Sequence, residues 1–584
     1  MKLTTVALAL VGVDLVAGAK SKTRWRPKKK FIASTICPLD TDFRSVSAGQ
    51  WITAGNPGWN VGNTLDALPT EGSWNNPPLQ ESTLDHVKAA GYKSVRIPVT
   101  YHEHYVAGSP DWRINSTWLQ RVSDVVDMAT KRDLYVITNM HHDSWNWADV
   151  SKPGANQTEI REKFYASWFQ IATVLACKPA SVAFEPINEP PGNTAEDAEN
   201  LNALNDLFLE ALADAGGYNK QRVVTLSSLG MGSDKMHFFR RPTNVTNPWA
   251  FQFHFYSPYD FIFGAWGKTT WGSPADLLAV TTELTSVRAN FSDVPILLGE
   301  FSASQLNTEP AARWKWYDHV LRVCKQLGIG TVLWDNGLDN LQRETGIWRD
   351  PTSVEIAMAV LRGESNSLPE STTDPEAKTQ ESSAYVWNKL GENVTEKRVE
   401  FLLNGNAVVG VEYEGRNLTG VEYGVQGGAV ILRQEFLKGI FDGDKVGSLA
   451  NLTVRFSQGV NLGVELVQWD VPTIGLYESR ARDVRGGEDL HLPVVWKGLH
   501  RVAAVKIVKA DGGFLVDDWT QWLPELQKGR GTYSNHWSFD HNRITIAKGA
   551  VEAVIAAGQN VTFTFEFFPR AEGNGNSFNY TLTV

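Results

Sequence analysis

Two acidic residues stand where apolar runs give out. "VAFEPINEP" (182–190) begins as a buried strand should and closes on Asn188 and Glu189, and "PILLGEF" (295–301) delivers Glu300 in the same way. Two such carboxylates, brought together from distant parts of a chain, suit the cleavage of a glycosidic bond, in which one donates a proton while the other stays ionised. Mutual repulsion and partial burial would raise one carboxyl, while Arg96 and the Tyr256 hydroxyl would hold the other as carboxylate. Glu185, on the same run as Glu189, reads as a salt-bridge partner inside the fold. For Glu189 taken alone, a buried acid paired with Arg96 is the competing reading.

The elements needed to position these groups are visible as a repeat. Apolar runs near 58 and at 94–99, 134–140, 182–189, 223–228, 250–256, 295–301 and 331–336 give eight strands. Between them lie stretches such as "STWLQRVSDVVDMATKR" and "AARWKWYDHVLRVCKQLG", with apolar residues at three- and four-residue spacing, the pattern of helices. Strand and helix in alternation predict parallel strands, and eight repeats in about 300 residues favour a closed (β/α)8 TIM barrel over an open sheet. Active sites of such barrels lie at the C-terminal ends of the strands. Those ends carry Asn63, Arg96, the His141-His142-Asp143 run, Asn188 with Glu189, His254 with Tyr256, Glu300 and Trp334. One polar strand end is usually a cap; polar ends on seven of the eight strands are not explained by capping.

The order of "GWNVGNTLDA", "VRIPVT", "NMHHD", "EPINEP", "HFYSPYDF", "LLGEF" and "LWDNG" resembles glycoside hydrolase family 5, close to its subfamily 4 of endo-acting β-glucanases. The resemblance implies a retaining double displacement with Glu189 as acid/base and Glu300 as nucleophile, their carboxyls about 5 to 5.5 Å apart. It also implies that Asn188 holds the sugar 2-hydroxyl, that Arg96 and Tyr256 orient the nucleophile, and that His254 partners the acid/base. His141 and His142 would line subsites on the non-reducing side, Asn63 and Asp66 would bind a sugar one or two units from the cut, and Trp334 would stack beneath the sugar at the cleavage point. A glutamate often follows the second histidine in this family, so Asp143 is a departure. No metal or other cofactor is expected: adjacent histidines on a strand point to opposite sides and share one ion poorly. Trp74, Trp145, Trp147, Trp266 and Trp271 fall in loops, where they either stack distal sugars or pack the loops.

Beyond the barrel, residues 363–384 are rich in Ser, Thr, Glu and Pro and read as a linker. Helix periodicity then gives way to alternating runs between Gly and Asn turns, as in two all-β immunoglobulin-like sandwich modules. Residues 385–484 resemble an X2 module. Residues 485–584, with "DDWTQWLPEL", resemble carbohydrate-binding module family 46, which makes Trp519 and Trp522 either glucan contacts or sandwich core.

The remaining signals concern location and partners. Residues 1–19 have Lys2, an apolar run and a small-residue Ala-Gly-Ala ending, the pattern of a secretory signal more than of a membrane anchor; 20–36 follow as a basic tail or propeptide, and the catalytic unit spans 37–362. Nine Asn-x-Ser/Thr triplets agree with secretion and glycosylation. Three cysteines permit at most one internal disulfide. A formal charge of −10 disfavours nucleic acid and anionic membrane as partners, and 22 Trp, 15 Tyr and 26 Phe suit sugar rings or large cores. The expected enzyme is a secreted monomer acting on β-glucan polysaccharide. β-Mannanase or xylanase action on the same scaffold is the alternative, as is a glycan-binding protein without activity, although such proteins usually lose one of the two glutamates.

Overall fold

The computed structural model describes residues 37, 43–243, 245–377, 379–484, 487–515, 529–570 and 575–584. The segments read as signal and basic tail, together with Trp519 and Trp522, lie outside the described residues.

Eight parallel strands close into a barrel in sequence order: β1 (Gly58–Asn60), β2 (Ser94–Ile97), β3 (Tyr135–Asn139), β4 (Val182–Glu185), β5 (Val224–Leu226), β6 (Trp249–Phe255), β7 (Ile296–Phe301) and β8 (Ile329–Leu333). Helices with one apolar face pack outside, among them Ser116–Thr130, Gln157–Val174, Ala195–Ala215 and Pro310–Gln326. Their starts follow local rules: Thr194 and Asp197 form a reciprocal capping box, and Asn115 accepts from the Thr117 amide. Helix Ala48–Gly55 seals the barrel floor, pressing Trp51 and Ile52 against Ile137, Ala183, Ala250, Leu297 and Val332.

Strand register sets the chemistry of the interior. It aligns Asn60 with Arg96, Asn139 with Glu185, and His254 with Glu300. Irregularities fall between Phe253 and His254 on β6 and between Leu298 and Phe301 on β7, re-aiming side chains beside both site residues. Gly299 is required there by close approach, since a Cβ would come within 2.5 Å of the Gln252 amide.

Two β-sandwiches follow, and their boundaries differ from the sequence reading. Within the stretch read as a linker, Leu368–Pro369 pairs with Phe401 and Leu402, and Asn366 and Ser367 are buried. This segment is folded into the second module because its side chains find partners on the barrel: Asn366 donates to Asp318 (2.8 Å), and Lys315 to Ser371 (2.7 Å). Residues assigned to the end of the second module belong to the third, because Thr473–Ile474 pairs with Val494–Val495 and Glu478–Arg480 with Thr581–Thr583. Each sandwich also carries a helix, Gln434–Ile440 and Lys548–Ala557, where only strands are expected.

The third module rests on the barrel's C-terminal side. Arg501 donates to the carbonyls of Gln305 (3.1 Å) and Thr308 (2.7 Å) beyond β7, and Arg570 to Gly267 O (2.6 Å) and Thr269 Oγ1 (2.8 Å) beyond β6. Cys37 is disulfide-bonded to Cys177, and Cys324 is free and buried. Among the described residues no helix is long and apolar enough to cross a membrane.

Candidate active site

A polar layer inside the barrel supports the site from below. Arg96 is fully buried on β2 and makes two bonds of 2.7 Å to Glu185, one of 2.9 Å to Asn60, one of 2.8 Å to Asn188 and one of 2.5 Å to Glu300. Burial opposes its charge, but the Glu185 and Glu300 carboxylates outweigh it and raise the guanidinium above its usual range. Glu185 also accepts from Asn139 (2.9 Å) and Gln252 (2.7 Å). Burial would raise its carboxyl, yet Arg96 dominates and the net direction is down. Arg96 pairs with Glu185 and Glu300 and not with Glu189, which disposes of the competing reading for Glu189.

At the mouth, a carboxylate oxygen of Glu189, one of Glu300 and a ring nitrogen of His254 all lie within 4.8 Å of one another. Glu189 accepts from or donates to His254 Nδ1 at 2.7 Å, and its side chain is 25 % exposed. Its backbone sits at φ +38°, an unusual conformation for a residue with a side chain, and its carbonyl accepts from the Trp145 indole at 3.2 Å. Glu300 is more enclosed, with a side chain 5 % exposed, and accepts from Tyr256 Oη at 2.9 Å. Burial pushes the Glu300 carboxyl up; His254 and Arg96 oppose this, and Glu189 adds to it. Burial and the Glu300 charge raise Tyr256 well above its ordinary range, so its hydroxyl remains a donor.

His141, His142 and Trp334 stand together at the barrel mouth. His141 is buried, accepts from or donates to Asn139 (3.0 Å) and stacks parallel to Trp334 with centroids 5.9 Å apart. Burial, then His142 and Arg96, lower its imidazole well below the usual range, leaving it neutral. Trp334 can lie flat because residue 62 is glycine; a Cβ there would meet its ring at 2.7 Å. His142 is flanked by Trp74 and Trp145, with centroids 5.3 and 4.8 Å away. These two tryptophans are 43 % and 51 % exposed, and their indole N–H groups are fixed by Leu68 O and Glu189 O.

Several residues stand elsewhere than expected. Asp66 is fully buried and accepts the amides of Asn63 (3.1 Å) and Thr64 (2.7 Å), so it shapes the turn after β1 and does not present itself to a sugar. Asn63 is half-buried at φ +53° and donates to Asn75 at 2.8 Å. Asp143 orders the loop by accepting from Tyr101 N (2.8 Å) and Trp147 Nε1 (2.6 Å). Trp266 and Trp271 are buried, and Trp266 donates to Thr532 of the third module at 3.1 Å, so both pack loops. The histidine rings do not diverge: β3 ends at Asn139, alternation lapses, and the centroids lie 4.6 Å apart. Together with Asp66 they form one set of groups with metal-ligating chemistry; Glu189, His254 and Glu300 form a second among the described residues. Asn60, Asn139 and Gln252 were not singled out in the sequence, although each is a polar residue on a strand that is otherwise apolar.

Comparison with known proteins matches two of the three modules to known families. Residues 53–340 match the family "Cellulase (glycosyl hydrolase family 5)", and residues 380–466 match "Carbohydrate binding domain X2". Endoglucanase A of Clostridium longisporum is 31 % identical over 378 residues, covering 59 % of this chain and 71 % of the relative. The chain belongs to glycosyl hydrolase family 5. Endoglucanase B of Paenibacillus lautus is 27 % identical over 559 residues, spanning 91 % of both chains. The crystal structure of a tri-modular family 5 (subfamily 4) endo-β-1,4-glucanase from Bacillus licheniformis aligns with a TM-score of 0.80 at 30 % identity, covering 92 % of this chain and 99 % of that one; the same enzyme has been solved with cellotetraose. As a family 5 member the protein is a glycoside hydrolase, and the match to an X2 domain agrees with the sandwich that follows its barrel.

Proposed function

We propose that the protein is a secreted endo-β-1,4-glucanase of the subfamily 4 type, hydrolysing cellulose-like, xyloglucan or mixed-linkage β-glucans with retention of anomeric configuration. The observation that carries this reading is the approach of Glu189 and Glu300 oxygens to within 4.8 Å. Retaining enzymes hold their carboxyls about 5 to 5.5 Å apart, whereas inverting enzymes need about 6.5 to 9.5 Å to admit a water.

Each residue then has a role. Glu300, oriented by Arg96 and Tyr256, attacks the anomeric carbon while protonated Glu189 gives its proton to the departing glycosidic oxygen. The C–O bond breaks, and the sugar is held as an ester of Glu300. Glu189, now ionised, takes a proton from water, whose oxygen attacks the anomeric carbon on the face the leaving group vacated and displaces Glu300. His254 steadies Glu189 through both steps at 2.7 Å. Asn188, fixed by Arg96, faces the sugar 2-hydroxyl, and Trp334 supports the ring. The third module is read as a carbohydrate-binding module of family 46 that meets glucan through Trp519 and Trp522. Secretion is supported by the N-terminal apolar stretch and by the Cys37–Cys177 bond, which suits an oxidising compartment.

Proton NMR of a cello-oligosaccharide digest tests the central step: β-anomer appearing first is expected, and initial α-anomer overturns retention. Glu300→Ala is expected to keep fold and sugar binding while turnover falls by about three decades or more. Glu189→Ala should regain turnover with added azide; a variant with full activity and no azide response rejects the acid/base role. Reducing-sugar release across soluble glucans, mannan and xylan identifies the polymer, and preference for mannan rejects the glucanase reading.

A further inference from the structure

A concavity walled by more than one module lies away from the catalytic mouth. It is an open groove of about 930 Å3 between the second module's strand Tyr385–Lys389, residues 370–372 and 379–383, and Pro569-Arg570 of the third. Three features describe what would fit it. Trp387 is half-buried, and its ring lies on Tyr385 with centroids 4.7 Å apart at 30°, so the indole plane is fixed at the wall. Four glutamates face four lysine or arginine side chains around the lining, which leaves no net charge to select an ion. Ser, Thr and Gln side chains supply donors and acceptors between them. The groove continues inward to a small recess bordered by barrel residue Thr270, whose buried hydroxyl has no hydrogen-bond partner among the described residues. A fixed aromatic face, balanced charge and mixed polar groups suit a neutral polyhydroxylated chain, whose C–H faces stack on indole and whose hydroxyls both give and accept.

We propose that this groove is a second, non-catalytic polysaccharide-binding site, with Trp387 as its stacking platform. Its ligand is a segment of neutral β-glucan; that identity rests on the endoglucanase reading, while the groove's preference for a neutral glycan does not. Because the second and third modules wall it and the barrel borders its inner recess, a chain held here is anchored beside the barrel.

The full-length protein is assayed for retention on insoluble cellulose and for hydrolysis of cellotetraose. Trp387→Ala removes the platform, and Thr379→Arg fills the groove from its exposed rim without touching the core. Each is expected to weaken retention about tenfold, the loss of one stacking contact, with kcat/KM on cellotetraose within about twofold of the parent. Trp387→Phe, which keeps an aromatic face, should restore most of the retention. Hydrogen exchange should slow at 385–389 and 397–400 when soluble β-glucan is added. Unchanged retention in both the Trp387→Ala and Thr379→Arg variants, or no protection of these strands, overturns the proposal. Failure of the parent to cleave cellotetraose would instead count against the catalytic reading and leave the retention result standing.

Discussion

Replacing Arg96 with Met tests whether the barrel interior is organised around one cation. The guanidinium makes five hydrogen bonds, two to Glu185 and one each to Glu300, Asn60 and Asn188. Methionine replaces the apolar stem but leaves two buried carboxyls without the guanidinium's counter-charge. Breaking a buried pair by removing one partner costs about 3–5 kcal/mol, most of it from the orphaned charge. The pH dependence has a definite sign. In the parent, Arg96 lowers the Glu185 carboxyl, so its stabilisation is present above the unfolded carboxyl range and is lost as pH falls through the folded value. In the variant burial is no longer opposed by Arg96, so Glu185 and Glu300 both move up; their ionised forms then destabilise the fold at neutral pH and the penalty fades on acidification. The gap between parent and variant should therefore be widest near pH 7 and narrow towards pH 4. Urea denaturation followed by tryptophan fluorescence at several pH values measures it. Activity should fall about 100- to 1,000-fold through loss of nucleophile orientation. Adding Glu185→Gln to Arg96→Met should recover part of the stability and none of the activity. A loss below about 1 kcal/mol at pH 7, or a loss that does not shrink on acidification, would refute the account.

Three further outcomes follow from the same geometry. Because burial raises Glu300 and the nucleophile must be ionised, the acid limb of kcat/KM should lie above the value of a free glutamate, about 4.3; a limb at or below it contradicts the assignment. Trp145→Phe removes the indole bond to the Glu189 carbonyl while keeping an aromatic face, so kcat should drop about fivefold with little change in KM, whereas Trp145→Ala should also raise KM. Cys177→Ser opens a disulfide that closes a 140-residue separation and should lower stability by about 2–4 kcal/mol with kcat/KM unchanged, as read from denaturation midpoints and steady-state rates.

The parts of the fold that were legible in the sequence are those governed by local period. Strands ending in polar residues announced the barrel mouth because a parallel strand is apolar along its buried length and becomes chemical only where it emerges. That rule separated Glu189, beyond the end of β4, from Glu185, its last residue. It failed for His141 and His142, where an alternation argument was carried past Asn139 and the end of the strand. Asp66 was misread for a related reason: an aspartate three residues after Asn63 can bond the turn's own amides, and that spacing pointed to local structure before ligand binding. Gln252 precedes His254 by two positions and so shares its inward face, a signal present in the sequence and obscured by the aromatic residues around it.

What the sequence did not disclose depends on contacts between modules. Trp266 follows β6, carries the composition of a sugar platform, and is instead covered by Thr532, more than 260 positions later. Arg501 is half-buried and donates to backbone carbonyls beyond β7, and burial lowers its guanidinium from the usual range. No period in either segment encodes such a meeting, because each partner satisfies its own local pattern without the other. The same holds for residues 363–384, whose linker-like composition reflects polar side chains that bond the barrel through Asn366 and Ser371. The three modules are thus joined by polar groups that are enclosed only in the assembled chain. Since an unpaired buried donor costs about 1–3 kcal/mol, those groups bind the modules to a defined arrangement, and with it fix the loops that follow β6 and β7, the strands whose ends present His254, Tyr256 and Glu300.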